Sequence, residues 1–246
     1  MGTVISLDLA DDLPAETLER LAEETFDWLR DVDQRFSTYK MDSEVSRIGR
    51  GDLDAADASP EVREVLDRCA DLWRETDGYF DAYATGTLDP SAYVKGWSVQ
   101  VASDRLSVAG APNHCVYAGG DIRVRGESVN DKPWRVGVKH PFVPTSLAWV
   151  LAGTDLAVAT SGLYERGAHV VDPRRGAPAT ELSSVTVVGV DLGTADAYST
   201  AAFAMGRAAL DWLPGLSRLG YESAIVTVER EAYTTPGLPT ADRGLA

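Results

Sequence analysis

Asp196 and Thr200 stand four residues apart in TADAYSTAAFAMGRAALDW, residues 194–212. In a helix that spacing stacks a carboxylate and a hydroxyl on one face. The segment is predicted to be such a helix, with Thr194 as N-cap. Tyr198, Ala201, Ala202, Met205, Ala209 and Trp212 recur at helical spacing as its buried stripe. Near the positive end of a helix dipole, the Asp–Thr pair could hold a hard cation against an anion. Favourable charge placement in a first turn explains Asp196 alone more simply.

Other residues carry chemistry less specifically. The turn Gly119-Gly120-Asp121 lets backbone N–H groups approach a ligand, although a hairpin turn after a Val-rich strand explains it equally well. His169, one of three histidines, heads HVVDPRRGAP and is either a general base near neutral pH or a structural histidine. Lys95 in VKGW could pair with phosphate or simply be solvated. Tyr39, Tyr79 and Tyr83 could stack on an aromatic ligand or pack. Cys69 and Cys115 make neither a zinc spacing nor a disulfide framework, so each reads as a small buried residue.

These groups need elements to position them. MGTVISLDL, residues 1–9, alternates as a strand. After Asp12 and Pro14 comes a helix with Leu18, Leu21, Thr25, Phe26, Leu29 and Val32 on one side and acidic residues on the other. A short capped helix follows at 42–47. Ser59-Pro60 opens a third helix over 61–76, with Val62, Val65, Leu66, Cys69, Leu72 and Trp73 inward, and Gly78 marks its end. Residues 77–126 read as a loop-rich middle, the usual seat of binding. Strands are predicted at 135–139, 156–160, 184–190 and 224–228. Helices and strands do not alternate, so the fold class is α+β with mostly antiparallel sheets and flanking helices, as a single domain over 1–246.

The 246 residues include 38 acidic and 23 basic side chains, a net charge of −15. That balance excludes a nucleic-acid or anionic-membrane surface, since both repay clustered Lys and Arg. It also means that a phosphate ligand would need a local cation. No apolar run approaches the ~18 residues of a membrane span. No basic start leads into an apolar stretch, so a cytoplasmic location is expected, with an extracytoplasmic one open if the natural chain extends upstream of Met1.

Taken in order, FSTYKMDSEVSRI, DGYFDA, DPSAYVKGW, AGGDIRVRG, WRVGVKHP, ATSGLYERG, HVVDPRRGAP, SSVTVVG and ADAYSTAAFAMG resemble the successive motifs of the ApbE family. That family comprises the FAD:protein FMN transferases, and the likeness runs from Met1 to about Val228. It implies an α+β fold similar to a duplicated T-fold, with the flavin in a cleft. It implies Mg²⁺-dependent attack by a Ser or Thr hydroxyl of a target flavoprotein on the FMN phosphorus of FAD, with release of AMP.

Residue by residue, the resemblance implies Asp196, Thr200 and the carbonyl of Ala92 as metal ligands. It implies Met1, Tyr39, Ala82, Tyr83, Ala84, Asp89 and Lys95 as FAD contacts, with Gly119, Gly120 and Asp121 lining the flavin cleft and His169 catalytic. Pro90 and Ser91 stand where the family often has Leu-Gly, and Gln100 where Asp is common. An FAD pyrophosphatase on the same fold and a non-catalytic flavin-binding protein are the alternative readings.

Overall fold

The computed structural model describes residues 3–163 and 170–241. Seven strands form one antiparallel sheet in the order β1-β2-β3-β6-β9-β10-β11. They are β1 Ile5–Leu9, β2 His114–Ala118, β3 Asp121–Arg125, β6 Asp155–Gly162, β9 Leu182–Gly189, β10 Glu222–Thr227 and β11 Ala232–Thr234. β4, Trp134–Lys139, and β5, Leu147–Gly153, pair as a separate hairpin. β7, Val171–Asp172, and β8, Ala177–Pro178, form a second small ladder.

Both faces of the large sheet are covered, so its central strands lack the alternation of a half-solvated sheet. In β6, Ala157 and Ala159 face a core shared with the helices. Leu156 and Val158 face a second core, closed by Val136, Val138 and Leu151 of the β4–β5 hairpin. β9 divides the same way, with Val185 and Val187 in the helical core and Val188 in the other.

The helices are α1 Ala15–Phe36, α2 Glu44–Gly49, α3 Pro60–Glu75, α4 Ser91–Val108, α5 Leu192–Met205 and the short α6 Ala209–Trp212. The predicted α1, α2 and α3 are present within a few residues. One detail of α3 differs: Trp73 is 51% exposed rather than inward.

The predicted loop-rich middle contains a complete helix, α4. Its buried positions include Tyr93, Val94, Trp97, Val99, Gln100, Ala102, Ser103 and Leu106, spread around the axis. A helix enclosed on most sides has no polar face and so leaves no amphipathic period. Its serines, valines and Gly96 also have modest helix propensity. Tertiary contacts supply the stability. Trp28 and Phe36 of α1 meet Trp97 edge-on at 5.5 and 5.4 Å, and the Trp28 indole donates to the Ser98 carbonyl at 2.9 Å.

α5 is likewise buried nearly all round, not along one stripe. Its N-cap is Asp191, whose carboxylate accepts from the Thr194 N–H at 2.7 Å, and not Thr194 as predicted. The Thr194 hydroxyl instead accepts from Arg68 of α3 at 3.3 Å. Nor does the helix run to Trp212. It stops where Gly206 turns to φ 62°, after which a 3₁₀ turn leads into α6. Tyr198 fixes α5 to α3 by donating to Glu75, itself paired with Arg68.

Candidate active site

The site lies where α4 crosses α5. A Cβ on Gly96 of α4 would sit 2.4 Å from the Leu192 carbonyl oxygen and 2.9 Å from Asp196 Cβ. A Cβ on Gly193 of α5 would meet the Tyr93 ring at 2.7 Å. The absence of side chains at both positions lets the backbones touch. As a result the Gly96 N–H reaches Asp196 Oδ2 at 3.2 Å. In a regular helix that N–H donates to the carbonyl four residues back, which is Ala92, so Asp196 competes for Ala92's partner.

The neighbouring Lys95 bridges two carboxylates. Its Nζ is 3.2 Å from Asp121 Oδ1 and 3.7 Å from Asp196 Oδ1. Asp121 enters from the sheet through the two-residue hairpin Gly119-Gly120, which closes the Ala118–Asp121 pair of β2 and β3. Both glycines have positive φ, 48° and 99°, as a type I′ turn requires.

Asp121 is wholly buried and Asp196 is 2% exposed. Neither oxygen of Asp121 takes part in a directed hydrogen bond. Burial, followed by the Asp196 charge, holds the Asp121 carboxyl well above the usual carboxylate range, against the opposing pull of Lys95. Burial also raises Asp196, countered first by Lys95 and then by hydrogen bonds that include the Gly96 N–H. Two desolvated carboxylates facing one ammonium leave negative charge that a further cation would relieve. Simple first-turn charge placement therefore does not describe Asp196, which lies beyond the first turn and away from water.

Above these groups opens a cleft of ≈ 230 Å³. Phe36, Tyr39, Tyr79 and Phe80 line an aromatic part; Lys95, Asp196, Thr200 and Ser161 line a polar part. Ala82, Ala84, Asp89, Ala92 and Gly119 complete the predicted residues found on its walls. Tyr39 stands at 93% exposure, neither packed nor covered. Tyr83, Gly120 and Asp121 do not line the cleft, although Asp121 pairs with Lys95, which does. Tyr83 is instead 58% exposed, its N–H held by the Asp81 carboxylate at 2.7 Å. Met1 and His169 fall outside the described residues. Val170 and Val171, which follow His169 in sequence, are cleft residues.

Asp89 also orders the approach to α4, its carboxylate accepting from the Ser91 N–H at 3.0 Å. Pro90 is the N-cap residue of that helix, so the Pro90-Ser91 departure still leaves Ala92 in a helical first turn on the cleft wall. Gln100 Oε1 accepts from Arg123 at 3.0 Å and from the Leu192 N–H at 3.1 Å. It thus secures the start of α5 and does not line the cleft.

Sequence reasoning missed Ser161, at the end of β6. A single serine after a run of small residues gives no signal, and its partners lie on a helix nearly forty residues on. Cys69 is buried as expected, whereas Cys115 is only partly buried; burial pushes each thiol up to about 12. His114 is also structural, its ring nitrogens 2.7 Å from Ser103 Oγ and 2.7 Å from the Ala111 carbonyl. Among the described residues, no three or more His, Cys, Asp and Glu side chains form a metal-binding group, and no helix is long and apolar enough to cross a membrane.

The ApbE family profile matches residues 1–86 and 84–220. The chain belongs to the ApbE family. A FAD:protein FMN transferase of Haemophilus influenzae is 28% identical over 273 residues, 84% of this chain and 79% of that protein. One from Vibrio cholerae is 36% identical over 130 residues, 49% of this chain and 39% of that relative. Among solved structures, an ApbE protein from Thermotoga maritima superposes with a TM-score of 0.81 at 21% identity, covering 95% of this chain and 97% of its own. The flavin transferase ApbE from Vibrio cholerae does so with a TM-score of 0.81 at 23% identity, over 96% and 94%. The mixed helix and antiparallel-sheet architecture is therefore that of ApbE proteins.

Proposed function

We propose that this ApbE chain transfers FMN from FAD to a Ser or Thr hydroxyl of a target flavoprotein and releases AMP. The observation that carries the reading is the pair of buried carboxylates, Asp121 and Asp196, on the floor of a cleft whose walls are partly aromatic. An FAD pyrophosphate cannot be placed beside them in a chain of net charge −15 without a cation between.

The donors suit Mg²⁺, which takes hard oxygens and leaves positions for phosphate. Asp196, Thr200 and the Ala92 carbonyl would hold it, beside the buried Asp121 that shares Lys95 with Asp196. When bound, Mg²⁺ neutralises pyrophosphate charge and stabilises the charge that develops during phosphoryl transfer.

The protein's own part is positioning. Lys95 pairs with phosphate oxygen while tied to the carboxylates below it. Phe36, Tyr39, Tyr79 and Phe80 give flat rings an apolar bed. In the reaction, the acceptor hydroxyl oxygen bonds to the FMN phosphorus as the P–O bond to AMP breaks. AMP leaves with the electron pair and the hydroxyl proton passes to a base. His169 takes that last role on the strength of the family resemblance.

The test is incubation with FAD, Mg²⁺ and a candidate acceptor protein, with mass spectrometry of every product. FMN covalently attached to the acceptor, abolished by a chelator, is the expected result. FMN and AMP released equally well without acceptor would replace the reading with an FAD pyrophosphatase. Unchanged FAD would leave a flavin-binding protein.

A further inference from the structure

Three hydroxyls form a chain at the polar part of the cleft, with Ser161 and Thr200 on its wall and Ser199 buried behind them. Ser161 Oγ is 2.9 Å from Ser199 Oγ and 3.4 Å from Thr200 Oγ1. Ser199 Oγ donates to the backbone carbonyl of Asp196 at 3.0 Å. A hydroxyl has one proton to give, and taken together as hydrogen bonds the three contacts have one consistent order of donors. The Ser199 proton is spent on the Asp196 carbonyl, so in the 2.9 Å contact Ser161 must be the donor. Ser161 then has only lone pairs left for Thr200, so Thr200 must be the donor in the 3.4 Å contact.

We propose that Ser161 is a positioning residue for the cation site, drawing the Thr200 proton away so that the Thr200 oxygen presents lone pairs to the cleft. A metal ligand must offer a lone pair, and a threonine free to rotate would turn its proton toward the cation part of the time. The contact of 3.4 Å is long for a hydroxyl pair. A cation on Oγ1 polarises the O–H and makes it a better donor, so the contact strengthens when the site is charged.

The surroundings favour this role. Ser161 is 9% exposed and Ser199 is fully buried, so little water competes for either hydroxyl. The chain ends on Asp196, whose side chain is the charged ligand in the same reading. Groups that orient a metal ligand from behind are typically worth about 10–100-fold in metal affinity. The inference rests on the metal assignment proposed above, and the experiment separates the two.

The experiment measures Mn²⁺ affinity by calorimetry on FAD-free protein, with melting temperature alongside. Ser161→Ala should weaken Mn²⁺ roughly tenfold or more, with a melting point only slightly lowered. In a Thr200→Ala background, Ser161→Ala should have no further effect on Mn²⁺, because the residue through which it acts is gone. Additive losses in that double mutant would overturn the inference, since a merely structural serine acts independently of Thr200. So would wild-type affinity in Ser161→Ala while Asp196→Asn loses binding. If Asp196→Asn also binds Mn²⁺ normally, the metal assignment falls and takes the inference with it.

Discussion

Gly96→Ala is the most informative single change, because its effect follows from one measured approach. The added methyl would sit 2.4 Å from the Leu192 carbonyl oxygen, about 1 Å short of ordinary contact at 3.4 Å. Leu192 carbonyl carbon and Asp196 Cβ are each 2.9 Å away. The nearest atoms are backbone, so no rotamer change relieves the clash and α4 must move away from α5. Overpacking of this kind costs about 3 kcal/mol at the upper end of its usual range. Replacing glycine by alanine inside a helix returns about 1 kcal/mol. The net loss of about 2 kcal/mol corresponds to a fall in Tm of roughly 4–8 °C in a chain of this size. The same shift separates Lys95 and Ala92 from Asp196, and a misplacement near 1 Å costs about 100-fold in rate. Calorimetric unfolding and single-turnover FMN transfer measure the two effects. Gly215→Ala is the control, since a Cβ there meets nothing within 4 Å. A Gly96→Ala protein with wild-type Tm and rate would refute the claim that backbone contact at this crossing builds the site.

Asp196→Asn keeps an oxygen for the Gly96 N–H but deletes the charge. Calorimetry should show divalent-cation affinity falling at least about tenfold while Tm holds or rises, because a buried like charge is removed; a collapse in Tm would make Asp196 structural instead. Burial lowers the His114 pKa, so its contribution to stability is complete above the unfolded value of about 6.5 and is lost as pH falls below it. The raised carboxyl of Asp121 works in the opposite sense, favouring the fold as pH falls toward about 4. Denaturation midpoints at pH 7.5 and 5.5 should therefore be compared between wild type and His114→Gln, and an identical pH response in the two would remove His114 from the account. His169→Ala should leave FAD and Mg²⁺ affinity nearly intact and lower single-turnover transfer by roughly 10²–10⁴-fold; a normal rate with a lowered melting point would make it a turn residue.

How far the sequence exposed this molecule depended on which elements face water. α1 and α3 each keep one solvated acidic face, so their apolar period and end signals could be read directly. β6, β9 and β10 are Val- and Ala-rich, and they too were legible as strands. α4 was not, since burial on most sides removes the period that identifies a surface helix. The same enclosure hid the true limits of α5, where Asp191 rather than Thr194 caps the start and Gly206 rather than Trp212 marks the end.

The candidate site shows why motif and periodicity carry different information here. Asp196 and Thr200 were visible because an i, i+4 pair is local, and Asp121 because glycines drew attention to its turn. The pairing of Asp121 with Lys95 was not visible, because β3 and α4 meet only in the folded core. Ser161 was invisible for the same reason, its meaning set wholly by two hydroxyls on another element. The two carboxylates of this site, Asp121 and Asp196, lie out of water, and carboxylates leave water only on elements enclosed by others. Such elements lack an amphipathic pattern by construction. Of the residues that carry the chemistry, Lys95, Asp196 and Thr200 lie on α4 and α5, the two helices whose outlines the apolar pattern described least well, and the short polar motifs were the only local trace of them.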